Sequence, residues 1–239
     1  MISQDYVDIV IPVYNEGDNI LSLLACFEMN VHSNIRVLIC YDHDADTTLS
    51  ALNNYDGSIK IIRVKNKGSF AHGAVMTGFD YSDAQAVISY MADDDYNAVI
   101  VDKMIDLSRA GNDIVCASRF MPGGSMVGCP WPKSFLVRIA SFLLYHVGRL
   151  PSHDATNAFR LFSRRALNGT TIESTEGFTY SLELLAKAHR LGLNIAETPA
   201  QWFERVHGNS RFQVFMWAKS YFRWFFYVFE TTYLRFKNL

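Results

Sequence analysis

The sequence predicts an α/β fold with a mostly parallel central sheet flanked by helices. Three observations predict it. Short β-branched runs alternate with stretches of helical periodicity over the first ~120 residues. Several of those runs end in polar or acidic turns, as strands do at the ligand-binding edge of an open sheet. A chain of 239 residues with 49% hydrophobic and 19% charged content can bury the core such a fold needs. Strands separated by helices pair in parallel through right-handed crossovers.

Val7 to Val13 is a β-branched run ending beyond Pro12 and reads as the first, central strand. Tyr14 to Asn19 is a turn in which Asn15 or Asp18 could cap the following helix, whose apolar residues are Ile20, Leu23, Leu24 and Phe27. Arg36 to Tyr41 is the second strand and runs into an acidic edge, Asp42 to Thr48. Ile59 to Val64 is the third. Asn66-Lys67-Gly68-Ser69 and Ala71-His72-Gly73-Ala74 then lead into a helix through Phe79. These glycines read as ordinary turn residues, or as points where the backbone approaches a ligand. Ala86 to Met91 is the fourth strand, followed by Asp93, Asp94 and Asp95, and Asp113 to Ser118 is the fifth.

Arg119 to Pro132 is a Gly/Pro-rich loop, a cover over a site or a connector. Ser134 to Leu150 is an amphipathic helix with Phe135, Leu136, Ile139, Phe142, Leu143 and Val147 set against Lys133, Ser141 and Arg149. The polar run His153 to Arg160 precedes a short strand, Leu161-Phe162. A helix from Phe178 to Leu191 ends at Gly192, and Ile195 to Phe203 is a last extended segment before the polar loop Glu204 to Arg211. The tail, Phe212 to Leu234, is helical and aromatic-dense. Its broad apolar face would pack on the domain, form a dimer seam or lie in a membrane interface. The organisation expected is a domain over residues 1–211 and a C-terminal amphipathic helix over 212–239.

Three consecutive carboxylates at a strand end repel one another and call for a cation. In extended backbone alternate side chains share a face, so Asp93 and Asp95 can address one ligand while Asp94 points elsewhere. Hard oxygen ligands in a partial set suit Mg²⁺ or Mn²⁺ completed by a diphosphate. An Asp-rich turn alone reads equally as a solvated loop, but acids ending two separate strands favour a metal–nucleotide site. Arg160, with Arg164 and Arg165, offers either phosphate donors or a surface ion-pair network.

Bulk composition excludes several classes. A formal net charge of -2 provides no basic field for nucleic acid. The four cysteines form no CxxC pair; Cys26, Cys40 and Cys116 sit in apolar segments and read as small core residues in a reducing compartment, with no disulfide framework. No signal peptide and no run of 18 or more uncharged apolar residues is expected, which points to a cytoplasmic chain.

In order, these motifs resemble family 2 glycosyltransferases of the GT-A fold, and within them the dolichol-phosphate mannose synthase group. The resemblance covers roughly residues 7–211. It rests on Ile9 to Glu16, Asp42 to Thr48, Asn66-Lys67-Gly68 with Gly73, Asp93-Asp94-Asp95, Ala117 to Phe120 with Gly123-Gly124, Asp154 to Arg160, and Arg205 to Arg211. Departures are Tyr41 where the family carries the first Asp of a pair, Ala98-Val99 for Pro-Pro, and Ala158 for Gly.

The resemblance implies an inverting transferase moving a hexose from a UDP- or GDP-linked sugar to an acceptor. That acceptor would be a polyprenyl phosphate at the cytoplasmic face of a membrane, or a glycan hydroxyl. It implies donor contacts from Pro12, Tyr14, Glu16, Asp42, Lys67, Gly68, Asp93, Asp94 and Arg119, and a divalent ion on Asp93 and Asp95. It further implies acceptor-phosphate contacts from Arg160, Arg205 and Arg211, and catalytic roles for Asp95, Asp154 and Arg160. Asp154 would be the base for a hydroxyl acceptor. Two readings of other classes compete. Asp44-Ala45-Asp46-Thr47-Thr48 matches the nucleophile loop of haloacid-dehalogenase phosphatases, and the Tyr41 departure admits a non-catalytic nucleotide-sugar binder.

Overall fold

β-branched runs without alternation form strands buried on both faces, and the centre of this molecule is built from them. The computed structural model describes residues 6–204 and 214–234. In chain order the first half reads β1 (Val7–Val13), α1 (Gly17–Asn30), β2 (Ile35–Tyr41), α2 (Thr47–Ala51), β3 (Lys60–Lys65), α3 (Phe70–Tyr81), β4 (Ala86–Ser89), α4 (Val101–Arg109) and β5 (Ile114–Ser118). The second half follows with β6 (Ser125–Val127), α5 (Trp131–Phe142), β7 (Arg160–Ser163), α6 (Arg164–Asn168), α7 (Thr179–Arg190), β8 (Ile195–Pro199), β9 (Gln201–Phe203) and α8 (Val214–Tyr233).

The seven-stranded sheet has the order β3-β2-β1-β4-β7-β5-β8. β1, β2, β3 and β4 pair in parallel, as do β5 and β8, while β7 runs antiparallel between β4 and β5. The expectation of a mostly parallel sheet is met. β7 extends the expected two-residue strand and reverses direction because it enters from the same edge at which β4 ends. That reversal carries the polar run before Arg160 to the carboxyl ends of the parallel strands.

Two apolar layers cover the sheet. Ile9 and Ile11 of β1 join Leu23, Leu24 and Phe27 of α1 on one face. Val10 joins Val75 and Phe79 of α3, together with Leu184 of α7 and Trp224 of α8, on the other. α3 comes so close that a Cβ added at Gly78 would lie 2.5 Å from Val10 Cγ1. Glycine is required at that crossing.

Three local differences from the sequence reading concern the site. The extended segment Ile195 to Phe203 divides at Ala200, whose N–H donates to Ser118 O at 2.9 Å. The division gives β8 and a separate β9 paired with β6, a strand inside the Gly/Pro-rich loop. α5 begins at Trp131, where Pro132 suits the first turn, and continues into a π-helical turn over Leu143–Val147. Its apolar stripe faces outward: Phe135 is 59% and Phe142 57% exposed, whereas Ser141 is buried. α8 docks on α7 through Trp224 and Val228, both buried, so the tail helix is part of the domain's second apolar layer.

Candidate functional site

The carboxyl ends of β1, β2, β3, β4 and β5 and the entry to β7 lie along one edge of the sheet, and the polar motifs sit there. A backbone clasp shapes the first loop. Asn15 takes a positive φ of 56°, and its N–H donates to both oxygens of the Asp46 carboxylate at 3.1 Å. Asp46 is buried and also caps α2 by accepting from Thr48 N–H at 2.9 Å. Glu16 N–H donates to Thr48 Oγ at 3.0 Å. Tyr14, 47% exposed, meets the edge of His43. Asp42 accepts from Asn66 Nδ2 at 2.5 Å, and Asn66 Oδ1 in turn accepts from Gly68 N–H at 2.8 Å. Gly68 and Gly73 approach so closely that a Cβ on either would lie 2.9 Å from the other's backbone. Tyr14, Glu16, Asp42, Lys67 and Gly68 are thereby brought to one end of the sheet beside Pro12 of β1.

The same geometry does not favour the phosphatase reading. A nucleophile loop of that class needs a free carboxylate. Asp46 instead spends its oxygens on backbone amides, and Asp44 is paired with Lys65 at 2.6 Å out in solvent.

After β4 the three acids divide. Asp94 turns inward, where its Oδ1 accepts from Asn97 N–H at 3.2 Å and both oxygens accept from Asn97 Nδ2 at 2.8 Å. Burial, reinforced by the charges of Asp93 and Asp95, pushes its carboxyl up to about 6 against those bonds. Asn97, absent from the sequence-derived set, also clamps β9, exchanging hydrogen bonds with the backbone of Gln201 at 2.7 and 2.9 Å. In this structure the carboxylate of Asp94, expected among the donor contacts, holds the loop. Asp93 and Asp95 are half-buried on the loop, and Asp95 Oδ2 accepts from Ser22 Oγ at 3.1 Å. Among the described residues no three His, Cys, Asp or Glu side chains gather as a complete metal cage. Two hard oxygen donors fit a Mg²⁺ or Mn²⁺ that takes its remaining ligands from a diphosphate and water, which is the donor set these ions favour.

Asp154, Arg119 and Arg160 form one hydrogen-bonded network. Asp154 is fully buried and gripped bidentately by Arg119, with Nε to Oδ2 at 2.6 Å and Nη2 to Oδ1 at 2.9 Å. Burial would raise its carboxyl, but the Arg119 charge and hydrogen bonds outweigh that and hold it below the usual carboxylate range. A carboxylate so engaged is a weaker base than a free one. Arg119 has a third bond, Nη2 to Thr156 Oγ at 2.9 Å, which leaves little of its fork for phosphate. Arg160 is wholly buried, donating to Ser181 O at 2.5 Å and Asp154 O at 3.1 Å, with Nε unpartnered. It braces the loop beneath the site. Arg205 and Arg211 lie outside the described residues.

Along α5 runs an open groove of about 390 Å³ lined by Phe120, Arg138, Ser141, Phe142, Tyr145 and His153 among others. The sequence marks it only through the amphipathic helix and the His153 that opens the polar run.

Residues 8–170 match the family model described as glycosyl transferase family 2. The chain is 25% identical over 213 residues to a polyprenol monophosphomannose synthase of Mycolicibacterium smegmatis, covering 85% of this chain and 79% of that one. It is 28% identical over 208 residues to a dolichyl-phosphate hexose transferase of Haloferax volcanii, covering 84% and 85%. Among solved structures it is similar to glucosyl-3-phosphoglycerate synthase from Mycobacterium tuberculosis in complex with Mn²⁺, UDP and phosphoglyceric acid. The TM-score is 0.67 at 14% identity, over 98% of this chain and 81% of that one.

Proposed function

The chain belongs to glycosyl transferase family 2, and from that membership we propose that it moves a hexose from a UDP- or GDP-linked sugar to a polyprenyl phosphate at a membrane surface, with inversion. The observation that carries the donor half is the sheet edge itself. Tyr14, Asp42 and the Gly68–Gly73 approach stand at the ends of β1, β2 and β3, and Asp93 and Asp95 stand beyond β4. A nucleoside lying across the first three strand ends would direct its diphosphate toward the acids. Asp93 and Asp95 would hold a divalent ion there, and when bound it would neutralise the charge of the leaving diphosphate. That a neighbour of the same GT-A fold holds UDP with Mn²⁺ supports the reading.

The acceptor half is supported by the relatives, one a polyprenol monophosphomannose synthase and one a dolichyl-phosphate hexose transferase. A single displacement at the sugar carbon inverts it, and an anionic phosphate oxygen is already a nucleophile.

Membrane contact is supported by α5. Trp131 is 80% exposed, and Phe135, Leu136 and Phe142 face outward with it. No Asp or Glu occurs from Trp131 to His153, whereas Lys133, Arg138 and Arg149 do. The patch continues to Val147 and to exposed Tyr233 and Leu234 at the end of α8, joined by Tyr233 OH donating to Val147 O at 2.7 Å. Aromatic and basic residues without acids suit an anionic lipid surface. Among the described residues no helix is long and apolar enough to cross a membrane.

Donor binding tests the reading. The protein is heated with UDP-, GDP- and dTDP-sugars in Mn²⁺, Mg²⁺ or EDTA. One nucleotide should raise Tm with the ion, and the gain should vanish with EDTA and in Asp95→Ala. Absence of stabilisation by every nucleotide with either ion would refute it.

A further inference from the structure

We propose that Ser22 of α1 is the positioning residue that sets the Asp95 carboxylate for its divalent ion. The inference rests on the donor-site reading above, in which Asp93 and Asp95 hold that ion.

The contact joins segments far apart in the chain. Ser22 Oγ donates to Asp95 Oδ2 at 3.1 Å. Among the described residues no other hydrogen bond reaches this carboxylate, so Oδ1 keeps its lone pairs. The fold supplies the meeting. β1 and β4 are neighbours in the sheet, with Tyr90 N–H donating to Val10 O at 2.9 Å. α1 follows β1 over the face that Tyr90 and Ala92 share with Leu23, Leu24 and Phe27. Phe27 meets the Tyr90 ring edge-on at 5.1 Å between centroids, and Tyr90 OH donates to Asp94 O at 2.7 Å. A packed helix therefore presents Ser22 to a loop whose backbone is fixed one residue earlier. The loop is held on two sides, with Asn97 on the Asp94 carboxylate and Ser22 on that of Asp95.

The residue type suits the task. Ser22 is exposed within α1, where alanine is the better helix former. A serine inside a helix commonly turns its hydroxyl back to the carbonyl one turn earlier. This one reaches across to the acid instead. A hydroxyl is neutral, so it fixes the carboxylate without cancelling the charge that attracts a cation. Asp154 shows the contrast, since the Arg119 guanidinium takes both of its oxygens and neutralises it. Carboxylates that ligate metals are themselves hydrogen-bonded, and the partner orients them before the ion arrives. Without the hydroxyl, repulsion from Asp93 and Asp94 would leave Asp95 free to turn into solvent.

The experiment titrates Mn²⁺ by calorimetry into the full chain holding the nucleotide sugar that raises its Tm. Ser22→Ala should weaken the Kd for Mn²⁺ about tenfold, the lower end for partners of metal ligands because this bond is exposed. The Tm without ion and the number of ions bound should match the unmodified chain, because alanine serves the helix at least as well. A merely structural role would move that Tm and leave the Kd alone. Ser22→Thr, which keeps the hydroxyl, should restore the Kd. A Ser22→Ala Kd within twofold of the unmodified chain, or a Ser22→Thr that behaves as Ser22→Ala, overturns the proposal while the ion reading stands. An unmodified chain that takes up donor but no Mn²⁺ overturns the ion reading and this inference with it.

Discussion

Asp94 shows how one side chain can set a pH dependence. Its carboxyl titrates at about 6 in the folded chain, above the ordinary value of about 4. Between those values the folded chain holds a proton that the unfolded chain has released, so folding is favoured by acid in that window. Stability should therefore fall as pH rises from about 4 through about 6, and urea titrations of Asp94→Asn should show that slope flattened. Asp154 works in the opposite sense. Its depressed carboxyl contributes stability above the unfolded value, and this is lost as pH falls through the folded one. Asp154→Asn leaves Arg119 buried without its counter-charge, and should cost about 3–5 kcal/mol in chemical unfolding. Any loss of transferase activity in that variant should track the lost fold; activity lost at full stability would instead return a chemical role to Asp154.

At the scale of elements, two packings decide whether the edge is formed. α3 crosses β1 and β2 at Gly78, where a Cβ would press on Val10 and lie 3.0 Å from Cys40 Sγ. Gly78→Ala should destabilise by about 1–3 kcal/mol through overpacking, measured by thermal unfolding. α8 is held by Trp224, which is 2% exposed and carries the Lys187 ammonium 4.9 Å from its ring centroid. Trp224→Ala should cost about 3–5 kcal/mol. A variant as stable as the parent would mean that α8 lies free of the domain in solution. α5 behaves differently because its apolar residues already face water. Trp131→Ser with Phe135→Ser should leave Tm unchanged while reducing co-sedimentation with anionic vesicles, and retained vesicle binding would remove α5 from the proposed membrane face.

For the whole molecule, the sequence by itself determined the α/β class, the strand-and-turn order and the identity of the acidic edge. These depend on short-range patterns: β-branched runs, helical spacing and carboxylates placed where strands stop. The placing of Asp42, Asp93 and Asp95 beyond strand ends was legible for that reason. The fate of the arginines was not. Arg119 and Arg160 look alike as phosphate donors in the sequence, yet one is spent on Asp154 and the other is wholly buried under the loop. Only the antiparallel β7 brings Asp154 against Arg119, a contact 35 residues apart in the chain, and no local pattern encodes such a pairing. The same holds for Asn97 with Gln201 and for His153 with Glu197. The outward face of α5 is another case: periodicity defines an apolar stripe, but which side of the helix meets the sheet is decided by what else fills the core. Tertiary structure decided these because a side chain's chemistry depends on its solvent and its neighbours, and both are set by segments far away in sequence.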